Sequence, residues 1–443
     1  PGDIDGAGRA LMRTDPPTRV SRSDVLAGFS VALILVPQSM AYAELAGLPP
    51  HHGLYAASLP LIAAAFLASS PYLQTGPVAL TGLLTFGALV PLAPVGTAEY
   101  AALAALLALV VGIARLVVGM LRAGWVVYLM SHSMMTGFLS AAAILILSSQ
   151  LPGALGSDAP PGGGVLGRAW FALTTPGSWE GAAIGLSALT IAIVLGSARI
   201  HPLVPGVLFA ATIGLVFSIA TGYEGATVGS IPRGLPPFSL DLPWARLPAL
   251  ILPGIVISVI GFAEGVSISR LFASQERQRW DADREFLSKG LGNVVAGMTG
   301  GLPVGGSLSR TSVNRLAGAE SRWSGLVTGV AVLCFLPFAP ILEALPRAIL
   351  SAIVIAAIWK VVRPRVLLGI WTVSKPQAVV AWFTFVATLA LSPHIDRAIL
   401  LGIALSAVVH LWWELKPHVT AEREAVSYTH LRAHETTSHI AYA

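Results

Sequence analysis

The sequence predicts an all-α polytopic membrane protein: about fourteen transmembrane segments in a 7+7 inverted repeat, with two half-helices meeting at mid-membrane. Three observations predict it. The first is composition. Of 443 residues, 55% are hydrophobic and 11% charged, with mean hydropathy +0.75, whereas soluble domains carry roughly 25% charged residues. The second is a series of apolar windows of membrane-spanning length along the chain. The third is a glycine-rich stretch, residues 300–314, that cannot be a complete spanning helix. Gly300, Gly301, Pro303, Gly305 and Gly306 fill its first half and disfavour helix there. Its second half opens at Ser307, a good N-cap residue. A half-helix starting inside a bilayer turns unpaired N–H groups and a positive dipole end inward. Lipid satisfies neither, so a polar partner or wet cavity is required. Arg310, one turn in, adds a full positive charge, and the stretch reads as an anion site.

Residues 1–23 are polar and Arg-bearing and lack the apolar region of a cleaved signal peptide. They read as a cytoplasmic segment whose true start is missing, because the chain begins at Pro1. Apolar windows of full length fall at about 24–44, 53–69, 98–120, 134–151, 179–197, 204–221, 247–270, 323–340 and 378–392. Shorter or interrupted ones fall at about 77–90, 286–298, 307–317, 346–359 and 398–413. The loop 222–246 separates a first repeat, 24–221, from a second, 247–415. The third element of the first half begins Gln74-Thr75-Gly76-Pro77-Val78, a glycine–proline break before an apolar run. The third element of the second half is the glycine-rich stretch. Paired interruptions at matching positions point to an inverted repeat with its site where the half-helices meet. The Gly- and Pro-rich segment 152–178 is expected to be irregular and external. A cytoplasmic stub, 416–424, precedes residues 425–443, which read as a non-native tail, a translated sequencing adapter. Its histidines, His430, His434 and His439, are not taken as a metal cluster. The natural chain is expected to continue past about residue 424.

The net charge of +5 does not indicate nucleic-acid binding, because basic residues fall at helix ends and in loops. With the N-terminus cytoplasmic, inside loops carry Arg115, Arg122, Arg199, Arg270, Arg277, Arg279, Arg284, Lys289, Arg315, Arg322, Lys360, Arg363, Arg365, Lys375 and Lys416. Outside loops keep Arg168, Arg233, Arg246, Arg347 and Arg397. This bias places both termini in the cytoplasm. Arginine outnumbers lysine, which suggests a GC-rich genome and hence a bacterial inner membrane. Cys334, the single cysteine, excludes a disulfide framework or a cysteine-based metal site.

Ionisable or polar groups inside apolar windows are the functional candidates. Glu264, near the middle of the eighth element, is a carboxyl among apolar neighbours and a candidate proton carrier. The alternative is a permanent carboxylate paired with Arg310. The guanidinium of Arg310 suits an oxyanion through its planar donor fork. Gln38 follows Pro37 in mid-segment, and Tyr42 lies one turn on along the same face. Glu44 is nearer the helix end and could be solvated. His132 lies between Ser131 and Ser133, but adjacent helical residues do not face each other and no acid is near. It reads as structural.

At Pro37-Gln38-Ser39-Met40-Ala41-Tyr42-Ala43, with Ala46-Gly47-Leu48-Pro49-Pro50 and Gly53-Leu54-Tyr55 following, the chain resembles the SulP anion transporters. These are the sulfate permeases, called solute carrier family 26 in animals. Thr75-Gly76-Pro77-Val78-Ala79 and Gly305-Gly306-Ser307-Leu308-Ser309-Arg310-Thr311 match its third- and tenth-helix motifs. The resemblance covers roughly residues 20–415. It implies a core domain (elements 1–4 and 8–11) moving against a gate domain (5–7 and 12–14), with substrate between the third and tenth half-helices. It implies substrate contacts from Gln38, Tyr42, Val78, Ser309 and Arg310, and proton coupling at Glu264. Ile268 stands where a sodium-coupled member would carry a hydroxyl, which favours protons. The resemblance also implies a homodimer and a cytoplasmic STAS domain, whose absence here is read as truncation.

The expected function is proton-driven symport of a small anion of sulfate, bicarbonate or dicarboxylate type, with no cofactor and no metal. An uncoupled channel or exchanger on the same fold is the alternative. A nucleobase–proton symporter is opposed by the serine–arginine pair and the Pro-Gln-Ser-Met motif. An enzyme would need a nucleophile with a base, or a metal set, and the sequence offers neither.

Overall fold

The computed structural model describes residues 19–160, 164–277, 280–359 and 364–415. The stub from 416 and the tail at 425–443 lie outside them, as do residues 1–18. Seventeen α-helices occupy the described residues. In chain order they are α1 Arg22–Leu45, α2 His51–Ala56, α3 Leu59–Leu67, α4 Ala79–Leu89, α5 Ala98–Met120, α6 His132–Leu155, α7 Gly164–Thr174, α8 Gly181–Ile200 and α9 Gly206–Thr221. They continue with α10 Leu247–Glu276, α11 Ala282–Met298, α12 Leu308–Leu316, α13 Trp323–Phe335, α14 Arg347–Ile358, α15 Pro364–Val373, α16 Lys375–Ala390 and α17 Ile395–Glu414. Two short strands, β1 Thr75–Gly76 and β2 Gly305–Gly306, and four short 3-10 helices at Gly124–Leu129, Pro176–Ser178, Trp244–Arg246 and Leu336–Leu342 complete the set.

Local chemistry explains the starts. Ser21 and Asp24 form a reciprocal capping box at α1, satisfying two otherwise orphaned donors. Thr97 caps α5 by accepting from Tyr100 N. Ser131 caps α6 by accepting from Met134 N at 3.2 Å, which gives the Ser131-His132-Ser133 cluster its structural role. Asp281 caps α11 through Asp283 N and Arg284 N. Seven described spans are long and apolar enough to cross a membrane, and α4, α9 and α14 are apolar but shorter. Their outer faces are apolar too: Phe209, Val216 and Ile219 of α9 and Leu252 and Ile255 of α10 are exposed. A soluble protein rarely shows such continuous apolar surface. This is a multi-pass membrane fold.

Packing sorts the helices into two groups. In one, α11 packs on α5 and α3, α13 on α1 and α3, and α10 on α5, α4 and β2. In the other, α6 packs on α14, α16 and α7, and α8 on α9 and α14. Contacts of α1 with α14 and α9, and of α17 with α4 and α10, join them.

Two expectations need correction. Segment 152–178 is not irregular throughout: α6 runs on through Pro152 to Leu155, and α7 follows at Gly164–Thr174. A proline tolerated within a helix and a short amphipathic run explain the error. Arg115 and Lys289 are not loop residues either. They sit in α5 and α11, 0% and 2% exposed.

Candidate functional site

The site is built where the chain cannot be helical. β1 and β2 pair antiparallel, Thr75 with Gly306 and Gly76 with Gly305. Ser307 N donates to Gln74 O at 3.1 Å, and Gln74 N donates to Thr311 Oγ1 at 3.1 Å. The broken segments thus satisfy their backbone groups on each other, as a buried irregular chain must. Within three residues of each strand a helix begins, α4 after β1 and α12 after β2. Gly76 has φ +150°, and a methyl there would lie 3.2 Å from Arg310 Nη2. Only glycine allows both that backbone and that approach.

The two helix starts differ. Ser307 caps α12 by accepting from Arg310 N at 3.5 Å, whereas Val78 offers α4 no side-chain cap. The first N–H groups of α4 keep their positive end available. Val78 itself is 5% exposed.

Arg310 is 1% exposed. Its Nη1 donates to Gln38 Oε1 at 3.2 Å, while Nε and Nη2 have no hydrogen-bond partner among the described residues. Gln38 and Tyr42 are buried on α1, and Tyr42 lies within electrostatic reach of both Arg310 and Glu264. Glu264, on α10, feels Arg310. Its Oε2 is buried without a partner, and no ion pair within 4.0 Å joins it to Arg310. Ser309, on the turn that carries Arg310, is exposed, and its Oγ lies 3.3 Å from Ser307 Oγ. Ile268, one turn past Glu264, packs among Tyr72, Leu73 and Phe272.

Glu44 is not solvated: it pairs with Arg347 at 3.3 Å, with its side chain 17% exposed. The two line a cavity of about 420 Å³ with Gln150, Arg168 and Ser351. That cavity starts two residues beyond Tyr42 and does not include Arg310 or Glu264.

Three charged residues near the site escaped the sequence reading. Lys289 pairs with Glu285 at 3.1 Å and donates to Thr75 Oγ1 of β1. Glu285 Oε2 accepts from Ser69 N and Ser70 N, both at 3.0 Å. Arg115 donates to Val304 O at 2.8 Å, directly before β2. The signal was present, since both cations lie inside apolar windows.

The structure is thus a membrane bundle with two facing chain breaks and a half-satisfied buried arginine. Residues 22–384 match the sulfate permease family, and the chain belongs to that family. It is 33% identical over 418 residues to the Arabidopsis thaliana protein named "Sulfate transporter 4.1, chloroplastic", covering 89% of this chain and 59% of that one. The chain therefore spans about three-fifths of that relative's length. Among solved structures, the murine solute carrier 26 family member A9 anion transporter in its inward-facing state superposes with TM-score 0.82 at 21% identity, over 93% of this chain and 73% of that one. The transmembrane domain of a cyanobacterium bicarbonate transporter, BicA, gives 0.73 at 22% identity, over 89% and 98%. At these identities the two structures share the fold.

Proposed function

We propose that this chain is the membrane domain of a proton-coupled symporter for small anions, of the sulfate, bicarbonate or dicarboxylate type. One observation carries the reading: a buried arginine with two unpartnered guanidinium nitrogens lies in the field of a carboxylate oxygen that is also unpartnered. Buried polar groups are almost always paired, so an orphaned donor beside an orphaned acceptor suits a site that fills and empties. Substrate is held by Gln38, Tyr42, Val78, Ser309 and Arg310, at the starts of α4 and α12. An anion entering there offsets the arginine and the two helix dipoles. Glu264 then takes a proton, and the charge-balanced domain can move.

The moving domain is the group containing α1–α5 and α10–α13, and the group containing α6–α9 and α14–α17 is the gate. What supports this division is that helices pack mainly within each group. The fourteen-segment inverted repeat of 24–221 and 247–415 rests on the matching chain breaks at β1 and β2, which pair antiparallel, each followed by a short helix. The setting is a bacterial inner membrane, with both termini cytoplasmic and two copies forming a homodimer in the lipid bilayer. The cations near helix ends and in loops support the orientation after the buried Arg115 and Lys289 are removed from the count; Arg199, Arg270, Arg284 and Arg315 lie on helices rather than in loops. The sulfate named for the Arabidopsis relative and the bicarbonate named for the cyanobacterial one are the first substrates to try.

The test is uptake of labelled sulfate, bicarbonate, fumarate and succinate into proteoliposomes with an imposed pH gradient. Accumulation above equilibrium that needs the inward proton gradient, and is lost in Glu264→Gln while anion binding survives, is the expected result. Accumulation that is unchanged in Glu264→Gln contradicts the reading.

A further inference from the structure

Two buried cations beside the site have no part in the mechanism above. Arg115 has no carboxylate within ion-pair distance among the described residues. Its guanidinium donates to the carbonyls of Val304, Ser258 and Ile257 at 2.8, 3.3 and 3.4 Å. Val304 leads into β2, and Ser258 and Ile257 lie on α10 within two turns of Glu264. A methyl at Gly261, one turn before Glu264, would lie 2.8 Å from Arg115 Nη2. Lys289, held between Glu285 and Thr75, is within electrostatic reach of both Arg115 and Arg310. Of the other groups on elements packed against α10, Glu99 of α5 pairs with Arg246, and Asp283 and Arg284 lie in the first turn of α11. Neither α4 nor residues 124–129 carry a charge, and α17 carries Asp396, Arg397 and His410 towards its ends.

The charges can be summed. Glu285 and Lys289 cancel. Arg115 and Arg310 then leave two positive charges against the single carboxylate of Glu264. A buried region tolerates net charge poorly, so an occupancy that closes the sum is favoured. A dianion closes it with Glu264 protonated, and a monoanion closes it with Glu264 ionised.

We propose that Arg115 sets the charge of the anion this site accepts by supplying the second positive charge that a divalent oxyanion requires, while Lys289 cancels the negative charge of Glu285. They act as positioning and specificity residues without touching the substrate: Arg115 holds the backbone ahead of β2, and Lys289 holds the side chain of β1. The proton count, and which anion closes the sum, rest on the proposed role of Glu264; the effect of Arg115 and Lys289 on the ratio of dianion to monoanion affinity does not.

The test is calorimetric titration of the chain in detergent with sulfate and, separately, nitrate, for wild type, Arg115→Gln, Arg115→Lys, Lys289→Met and the double variant Glu285→Gln/Lys289→Met. A unit charge about 10 Å away, acting through an effective dielectric near 20, changes anion affinity roughly tenfold. Arg115→Gln and Lys289→Met should each lower the sulfate-over-nitrate affinity ratio by about that factor. Arg115→Lys and the charge-neutral double variant should stay within about threefold of wild type. The double variant separates charge from packing, and with Lys289→Met it decides alone if Arg115→Gln does not fold. An unchanged ratio in Lys289→Met, or a double variant shifted as far as the single one, overturns the proposal. The same series in a Glu264→Gln background, where that residue exchanges no proton, should give the same pattern. The pattern persisting while wild-type uptake ignores the proton gradient would sink the symport reading and leave this one standing.

Discussion

Two acid–base couples lie buried in the same helix bundle, and they are built differently. Glu285 and Lys289 touch at 3.1 Å, and each has further partners in the backbone of Ser69 and Ser70 and the hydroxyl of Thr75. Glu264 and Arg310 do not touch, and each leaves polar atoms unpartnered. A closed pair in low dielectric contributes to the fold only if its remaining donors and acceptors are filled. Glu285–Lys289 comes closer to that condition, with Glu285 Oε2 filled by two backbone N–H groups and Oε1 lying 3.1 Å from Lys289 Nζ, and it fixes β1 against α11. The open pair is further from it, with Arg310 Nε and Nη2 and Glu264 Oε2 unpartnered and no contact between the two side chains. The same residue types thus serve structure where they close on each other and binding where they do not.

The sharpest way to break the comparison is to truncate the closed pair. Glu285→Ala strands Lys289 and two backbone donors, and should cost about 3–5 kcal/mol of stability, read from denaturant unfolding in micelles. In the open pair, Arg310→Gln should cost at least about 2 kcal/mol of anion binding, some thirtyfold in affinity, by direct titration. Its effect on unfolding should be smaller, because a single side-chain hydrogen bond, to Gln38, is lost. Ser307→Ala removes the cap of α12 and should destabilise by about 1 kcal/mol, with a parallel loss of anion affinity as the turn carrying Arg310 loosens. Glu264→Gln should destabilise by less than Glu285→Ala, since Oε2 has no hydrogen-bond partner to lose. A Glu264→Gln variant as unstable as Glu285→Ala would erase the distinction.

The breaks at Gly76 and Gly305–Gly306 were legible because glycine and proline in an apolar window leave few alternatives to an unwound chain. Gln38, Tyr42, Glu264 and Arg310 were legible as polar groups in apolar runs, and the structure brings all four together. Arg115 and Lys289 met the same criterion but were assigned to loops, because each lies near the end of its window. Counting charges for topology assumes that a cation near a segment end is solvated. Here the partners that keep them buried, Glu285 and the carbonyl of Val304, come from the next turn and from another element. The pairing of Glu44 with Arg347 was out of reach for the same reason, the residues being about three hundred positions apart in sequence.

The most direct test of the open pair is to count protons as the anion binds. Purified protein in weakly buffered detergent solution, with a pH indicator present, is titrated with the anion that transport identifies. For a dianion such as sulfate the account predicts uptake of about one proton per anion bound, abolished in Glu264→Gln while anion binding is retained. Dianion binding without proton uptake in the wild type, or proton uptake that survives Glu264→Gln, would contradict it.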